Sequence, residues 1–256
     1  MFPNPKSQTY IPRQEPGNEP NPKLAEYQCL ADLNIYDSPN CDRLATQAAT
    51  GRHLRILSDD RTEQPLHDNV ETRHGTSLQI CLCEDDYPGW LLVEDFSLLQ
   101  PCSVTYLAKL YSEIEIKKLL PQVIAFTHQA MQQPNEYLWG GTLGPNYDCS
   151  GLMQAAFASV GIWIPRDAYQ QEAFCVPITI PQLQPGDLVF FGVQKATHVG
   201  LYLGESCYIH SSGKNQGRDG IGIDCLSEQG TEVSRSYYQQ LRGVGRVVKS
   251  YEPRRR

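Results

Sequence analysis

The sequence predicts an α+β protein in which a small all-β module precedes a domain of helices packed on an antiparallel sheet. Three observations carry this. Between Leu24 and about Pro101 the apolar runs are short and separated by turn-forming clusters. Residues 103–133 and the run between Asp148 and Gly161 read as helical, and from Pro185 onward the pattern returns to strand-like runs broken by glycine-containing turns.

Residues 1–23 are rich in proline and poor in large apolar groups, so burial there does not offset the entropy of ordering, and a flexible tail is expected. Residues 24–101 make the β module. Within it Leu78, Ile80 and Leu82 alternate with smaller or polar residues, the period of a strand with one buried face, while Asp37-Ser38-Pro39-Asn40 and Pro88-Gly89 mark turns. The second domain is expected over 102–252. It opens with two helices, one around Ser112-Glu113-Ile114-Glu115 and one that carries Pro121 in its first turn and runs to about Gln133. The run CSGLMQAAFASV, from Cys149 to Val160, is apolar on nearly every face, which suits a buried helix closed by Gly161. Strands are expected at Asp187–Phe191, His198–Leu203, Cys207–His210 and Gly243–Val248.

The 256 residues are 40% hydrophobic, enough to fill a sizeable core, and the net charge of −7 works against phosphate backbones, so nucleic acid is not an expected partner. No run approaches the roughly 18–20 apolar residues that span a bilayer, and the N-terminus lacks the apolar block of a secretory signal. A membrane partner is therefore not expected, and a cytoplasmic location is. Nine cysteines at irregular spacing read mostly as buried, reduced thiols. His67, His74, Cys81 and Cys83 mix plausible zinc ligands, but Cys81 and Cys83 fit one face of a strand equally well; no metal or cofactor is expected.

The chemistry concentrates at Asp148-Cys149-Ser150. A helix N-terminus, with unpaired N–H groups and partial positive charge, favours a thiolate, and Cys149 stands where such a helix begins. Asp148 is the expected N-cap, and the backbone N–H of Cys149 can face the oxyanion formed when sulfur attacks a carbonyl. Read alone, Cys149 is equally a small buried residue.

A base is also needed, and two of the six histidines are suitably placed. His198, Gly200 and Tyr202 share one face of a strand. If Gly204-Glu205-Ser206 is a three-residue turn, Leu203 pairs with Cys207 and Gly200 with His210, so that His198 and His210 lie diagonally on the same face at roughly 5–8 Å. A two-residue turn would send His210 to the opposite face. The remaining histidines, His53, His67, His74 and His128, read as ordinary structural residues.

Five motifs in order, Tyr137-Leu138-Trp139-Gly140-Gly141, Asp148-Cys149-Ser150-Gly151-Leu152, Pro185-Gly186-Asp187-Leu188-Val189-Phe190-Phe191, His198-Val199-Gly200-Leu201-Tyr202 and Ile209-His210, resemble the NlpC-type cysteine peptidases of bacterial cell-wall metabolism. The resemblance implies a papain-like fold and a triad of Cys149 as nucleophile, His198 as base and His210 as orienting group. The β module is similar to bacterial SH3 domains, in Leu33-Asn34-Ile35-Tyr36-Asp37-Ser38-Pro39 and Asp86-Tyr87-Pro88-Gly89-Trp90-Leu91.

The combination resembles the γ-D-glutamyl-L-diamino acid endopeptidases. It implies cleavage of murein peptides, L-Ala-γ-D-Glu-diamino acid, after D-glutamate, with a free N-terminal L-alanine required and a role in cell-wall peptide recycling. By the same resemblance Tyr87 narrows one end of the cleft, Asp148 and Ser150 hold the alanine ammonium, Tyr137 supports the oxyanion, and Arg166 pairs with the α-carboxylate of D-glutamate. Many relatives carry serine two positions after this arginine, where this chain has Ala168. Two other readings stay open: a catalytically inactive module that binds cell-wall peptide, and an acyltransferase or amidase using the same thioester.

Overall fold

A computed structural model describes residues 26–57 and 76–254. The expected tail, together with His67 and His74, lies outside the described residues. The first unit is all-β, with strands β1 (Glu26–Cys29), β2 (Leu33–Tyr36), β3 (Leu44–Ala48), β4 (His53–Ile56), β5 (Ser77–Leu82), β6 (Pro88–Leu92) and β7 (Leu99–Pro101). They form one sheet in the order β3-β2-β6-β5-β4-β1-β7. Leu78, Ile80 and Leu82 enter its core with Ile35, Leu54 and Leu91. The unit is the SH3-like module that the sequence predicts. Pro88-Gly89, read as a turn, instead opens β6, and the missing side chain of Gly89 makes room for Ile35, since a Cβ there would lie 2.4 Å from Ile35 Cγ2.

The second unit contains α1 (Glu113–Gln132), β8 (Thr142–Leu143), β9 (Asn146–Tyr147), α2 (Cys149–Ala158), α3 (Ala168–Phe174), β10 (Val176–Ile178), β11 (Leu188–Phe191), β12 (His198–Gly204), β13 (Cys207–Ser212), β14 (Gly220–Cys225), α4 (Glu232–Tyr238) and β15 (Leu241–Arg246). Its six-stranded antiparallel sheet runs β10-β15-β11-β12-β13-β14. Helix α2 packs on one face of that sheet with Leu152, Met153, Ala156 and Phe157 fully buried among Val199, Leu201 and Ile209. This is the papain-like arrangement of helices on a sheet. Among the described residues, no helix is long and apolar enough to cross a membrane.

Two expectations are corrected here. The two helices expected between residues 103 and 133 are one, α1, with Pro121 in its interior. A capping box of Ser112 and Glu115 starts it, and Ile116, Val123 and Thr127 bury one stripe against the domain core. Pro121 and Lys117 lie on the exposed side, so the carbonyl that proline leaves without a helical donor faces water, and buried packing carries the helix through.

The hairpin that carries the two histidines is also built differently. Its turn has two residues, Glu205 and Ser206, both at positive φ (51° and 61°), as in the primed turns that suit strand twist. A bulge between Tyr202 and Gly204 restores the parity, giving the register Leu201 to Ile209, Tyr202 to Tyr208 and Gly204 to Cys207. The extra residue in β12 keeps His198 and His210 on one face. Gly200 is required there, because a Cβ would lie 2.6 Å from the Tyr208 ring.

Candidate active site

Cys149 is the first residue of α2, and Asp148 is its N-cap, accepting from the Gly151 N–H at 2.7 Å. The loop before it approaches closely: a Cβ on Gly151 would lie 2.0 Å from the Gly141 carbonyl oxygen, so glycine at 151 lets this loop lie against the first helical turn. The Cys149 side of α2 meets the start of β12, where the backbone of Val199 hydrogen-bonds toward the sulfur. His198 is the preceding residue. Tyr237, whose ring stacks on His198 with centroids 4.2 Å apart, also lies within electrostatic reach of the sulfur.

Behind His198 runs a chain of buried polar groups. His198 Nε2 is 2.6 Å from His210 Nδ1, and His210 Nε2 is 2.9 Å from Asp224 Oδ2. Asp224 also accepts from Arg218 Nε at 3.1 Å and Arg218 Nη2 at 2.5 Å, and from the hydroxyls of Thr231 and Ser234 at 2.9 Å each. Burial alone would raise its pKa, but the hydrogen bonds from His210, Ser234 and Arg218 outweigh that and hold it far below the usual carboxylate range.

An ionised Asp224 only accepts, so His210 must carry its proton on Nε2. His210 Nδ1 is then an acceptor, which places the His198 proton on Nε2. The lone pair left on His198 is therefore at Nδ1, the nitrogen available to take a proton from Cys149.

Asp224, Arg218 and Tyr237 were not singled out from the sequence. The legible trace was Gly220-Ile221-Gly222-Ile223-Asp224, a period of two obscured by glycines. Gly222 has a reason: a Cβ there would lie 2.0 Å from Arg218 Nη1, so the guanidinium crosses the strand at that point to reach Asp224.

In front of the sulfur lies a cleft of about 280 Å³, with Cys149, Tyr137, Asp148, Ser150, Arg166 and Thr197 on the side of the second unit and Asp37, Arg43, Leu44 and Tyr87 on the SH3-like side. The two units are joined across it. Gln47 of β3 exchanges hydrogen bonds with Thr142 through backbone and side-chain atoms, at 3.0–3.2 Å, and Gln154 Nε2 donates to Asp85 Oδ2 at 2.8 Å. Trp139 and Tyr169 stand at the rim, under Arg43 and Lys195 respectively.

The NlpC/P60 family model matches residues 134–243, which span Cys149, His198, His210 and Asp224, and the model for the bacterial dipeptidyl-peptidase SH3 domain matches residues 35–96. The chain carries an NlpC/P60 domain behind a bacterial SH3 domain. Dipeptidyl-peptidase 6 of Lysinibacillus sphaericus is 42% identical over 94 residues, covering 36% of this chain and 32% of that protein. Gamma-D-glutamyl-L-lysine dipeptidyl-peptidase of Bacillus subtilis is 40% identical over 79 residues, 29% of this chain and 27% of that protein. The matched segment thus spans about a third or less of the length of these relatives. A crystal structure of an NlpC/P60 family protein from Bacillus cereus aligns over 88% of this chain and 64% of that one, with a TM-score of 0.45 and 23% identity.

Within the NlpC/P60 domain the sequence-predicted residues Cys149, His198, His210, Tyr137, Asp148, Ser150 and Arg166 are brought together, and the SH3 domain supplies Tyr87. Tyr87 lines the cleft. It is half-buried between the domains, its hydroxyl donating to Asp167 Oδ1 at 3.3 Å.

Asp148, Ser150 and Arg166, expected to contact substrate, line the cleft and are hydrogen-bonded to one another. Arg166 is only 1% exposed. Its Nη2 donates to Asp148 Oδ2 at 2.6 Å, its Nη1 to Asp148 Oδ1 at 3.1 Å and Ser150 Oγ at 3.0 Å, and its Nε to Thr46 Oγ1 at 2.9 Å. Asp148 additionally accepts from Gly140 N, Gly151 N and Ser150 Oγ. Its roughly four lone-pair positions are filled by protein donors, and its charge is matched by Arg166. These three residues brace the helix that carries Cys149 at the edge of the cleft.

The resting protonation state also departs from expectation. Burial, then the neighbouring Asp148 charge, push the Cys149 thiol up to about 12, against the opposing pull of Val199, Arg166 and Ser150. Burial and the adjacent His210 hold His198 well below its ordinary value. A neutral thiol beside a neutral imidazole follows at pH 7, not a preformed thiolate, because desolvation outweighs the helix terminus. Alkylation of Cys149 by iodoacetamide, followed by mass spectrometry of its peptide, is therefore expected to accelerate about tenfold per pH unit from pH 7 to 9, as the thiolate fraction grows. A rate already level below pH 8 would reveal a thiolate–imidazolium pair instead.

Proposed function

We propose that this protein is a cysteine endopeptidase that hydrolyses murein peptides of the type L-Ala-γ-D-Glu-diamino acid between D-glutamate and the diamino acid, in the turnover of cell-wall peptide. The observation that carries this reading is the relay Asp224–His210–His198, which leaves one basic nitrogen for the thiol of Cys149 at the floor of a cleft that the SH3 domain closes on one side. The names of the Lysinibacillus and Bacillus relatives agree with it.

In this reading His198 Nδ1 takes the thiol proton as sulfur attacks the γ-carbonyl carbon. The backbone N–H of Cys149 and the Tyr137 hydroxyl meet the oxyanion. Collapse of the tetrahedral adduct passes the proton from His198 to the departing amine, leaving a thioester, and water then attacks with His198 again as base. Release of the acid restores the neutral thiol and imidazole, so protons balance over the cycle.

The SH3 wall at Tyr87 and Leu44 limits how much chain lies before the scissile bond. A short acyl portion with a free N-terminus fits that limit. Besides Asp148 and Arg166, the cleft offers Asp37 and Asp167 to the substrate's ammonium and Arg43 and Lys195 to its carboxylates.

Incubation with L-Ala-γ-D-Glu-diaminopimelate and with its N-acetylated form, the products being followed by mass, is expected to release diaminopimelate from the first only. Equal cleavage of both removes the free-amine requirement. Cleavage of neither removes the peptidase assignment.

A further inference from the structure

Of the nine cysteines, two stand directly opposite each other on neighbouring strands, Cys207 on β13 and Cys225 on β14. Their sulfurs are 3.6 Å apart and both side chains are partly exposed, whereas Cys29, Cys81, Cys83, Cys149 and Cys175 are buried. We propose that Cys207 and Cys225 form an intramolecular disulfide when an oxidant of the disulfide class, such as oxidised glutathione, is supplied.

The ladder places them suitably. The Leu226 N–H donates to the Ser206 carbonyl at 2.8 Å, which makes Ser206 and Leu226 a hydrogen-bonded pair. The next pair inward, Cys207 and Cys225, therefore occupies a non-hydrogen-bonded position. There Cα atoms approach to about 4.5 Å and side chains lie closest, within the range a disulfide spans. In agreement, the Cys225 N–H turns away from β13 and donates to Ser234 Oγ at 3.2 Å. Closing the sulfurs to bonding distance needs side-chain rotation and no change of register.

The reaction balances without a further reagent. The Cys207 thiolate attacks one sulfur of oxidised glutathione and expels one glutathione. The Cys225 thiol, losing its proton, attacks the mixed disulfide and expels the second. Two electrons pass to glutathione and two protons leave with the products.

The bond closes a loop that contains both His210 and Asp224. Alternation along β13 puts Cys207 and Ile209 on the side facing α2, and Tyr208 and His210 on the other, so the cross-link passes behind the relay without touching it. It fastens the two strands at the end away from their connection, Gly213–Asp219, where the short helical turn Lys214–Gln216 sits. The expected consequence is a more stable ribbon with the relay geometry kept.

The test treats the full-length protein with oxidised glutathione at pH 8.5, blocks residual thiols with N-ethylmaleimide, and maps peptides by mass. The expected result is a Cys207–Cys225 peptide pair lighter by two hydrogens, with an unfolding temperature raised by about 5 °C that dithiothreitol reverses. Cys207→Ser and Cys225→Ser should unfold at the reduced wild-type temperature and show no shift with oxidant. The inference is overturned if both thiols remain alkylated by maleimide, if they persist as separate glutathione adducts, or if the cross-linked protein unfolds no higher than the reduced one.

Discussion

Asp224→Asn is expected to lower kcat for peptide cleavage by about 10³–10⁴-fold with little change in KM, approaching the background of Cys149→Ala. The argument is one of tautomers. The Asp224 side chain is fully buried and accepts from His210, Arg218, Thr231 and Ser234. Its charge fixes the His210 proton on Nε2, and so fixes the His198 proton on the nitrogen that faces His210. An asparagine whose N–H₂ takes the place of Oδ2 offers N–H to His210, and the part-exposed Arg218, which donates to that same atom, swings out toward solvent. His210 then accepts at Nε2 and donates from Nδ1, His198 accepts at Nε2, and the remaining His198 proton moves to Nδ1, where a base is needed. The ring positions barely change, yet the lone pair is on the wrong nitrogen. Steady-state kinetics with a thermal unfolding control separates this from simple damage: a tautomer effect appears in kcat in folded protein. A variant that keeps kcat within tenfold of wild type would remove Asp224 from the proton path and leave it a strand-bracing residue.

The fold class and the place of Cys149 at a helix start were legible because each rests on a local pattern. The run from Cys149 to Val160 is apolar all round and begins with a capping aspartate, so a buried helix with the thiol at its mouth could be read directly. The pairing of His198 with His210 was legible as an outcome but not as a construction: a three-residue turn and a two-residue turn with a bulge give the same parity, and strand periodicity does not distinguish them. Pro121 misled because local propensity says nothing of the stripe Ile116, Val123 and Thr127, whose burial continues the helix. Asp224 was hidden by glycines, of which Gly222 leaves room for Arg218 and Gly220 for Asn135, reasons visible only once β14 is in place. Arg166 was the reverse case. Its residue type suggested a ligand for a carboxylate, and whether that carboxylate belongs to substrate or to Asp148 depends on three-dimensional neighbours.

Arg166→Met is expected to destabilise the protein by about 3–5 kcal/mol, measured as a lowered midpoint in urea with an unchanged m-value. The cost comes mainly from what is left behind. The Asp148 side chain is 10% exposed, and its closest partner is Arg166 at 2.6 Å. Methionine fills much of the volume but leaves a buried carboxylate without its counter-charge, and it orphans Ser150 Oγ and Thr46 Oγ1 of their shared donor. Pairing Arg166→Met with Asp148→Asn separates the two contributions, since an uncharged partner no longer needs the guanidinium. The double variant should recover at least half of the loss, which is the sign of coupling between neighbours. Recovery of stability need not restore cleavage, because Asp148 caps the helix that carries Cys149 and Arg166 ties that cap to Thr46 on the SH3 domain. If Arg166→Met costs under about 1 kcal/mol, Asp148 has another counter-charge and the guanidinium is free to meet a substrate after all.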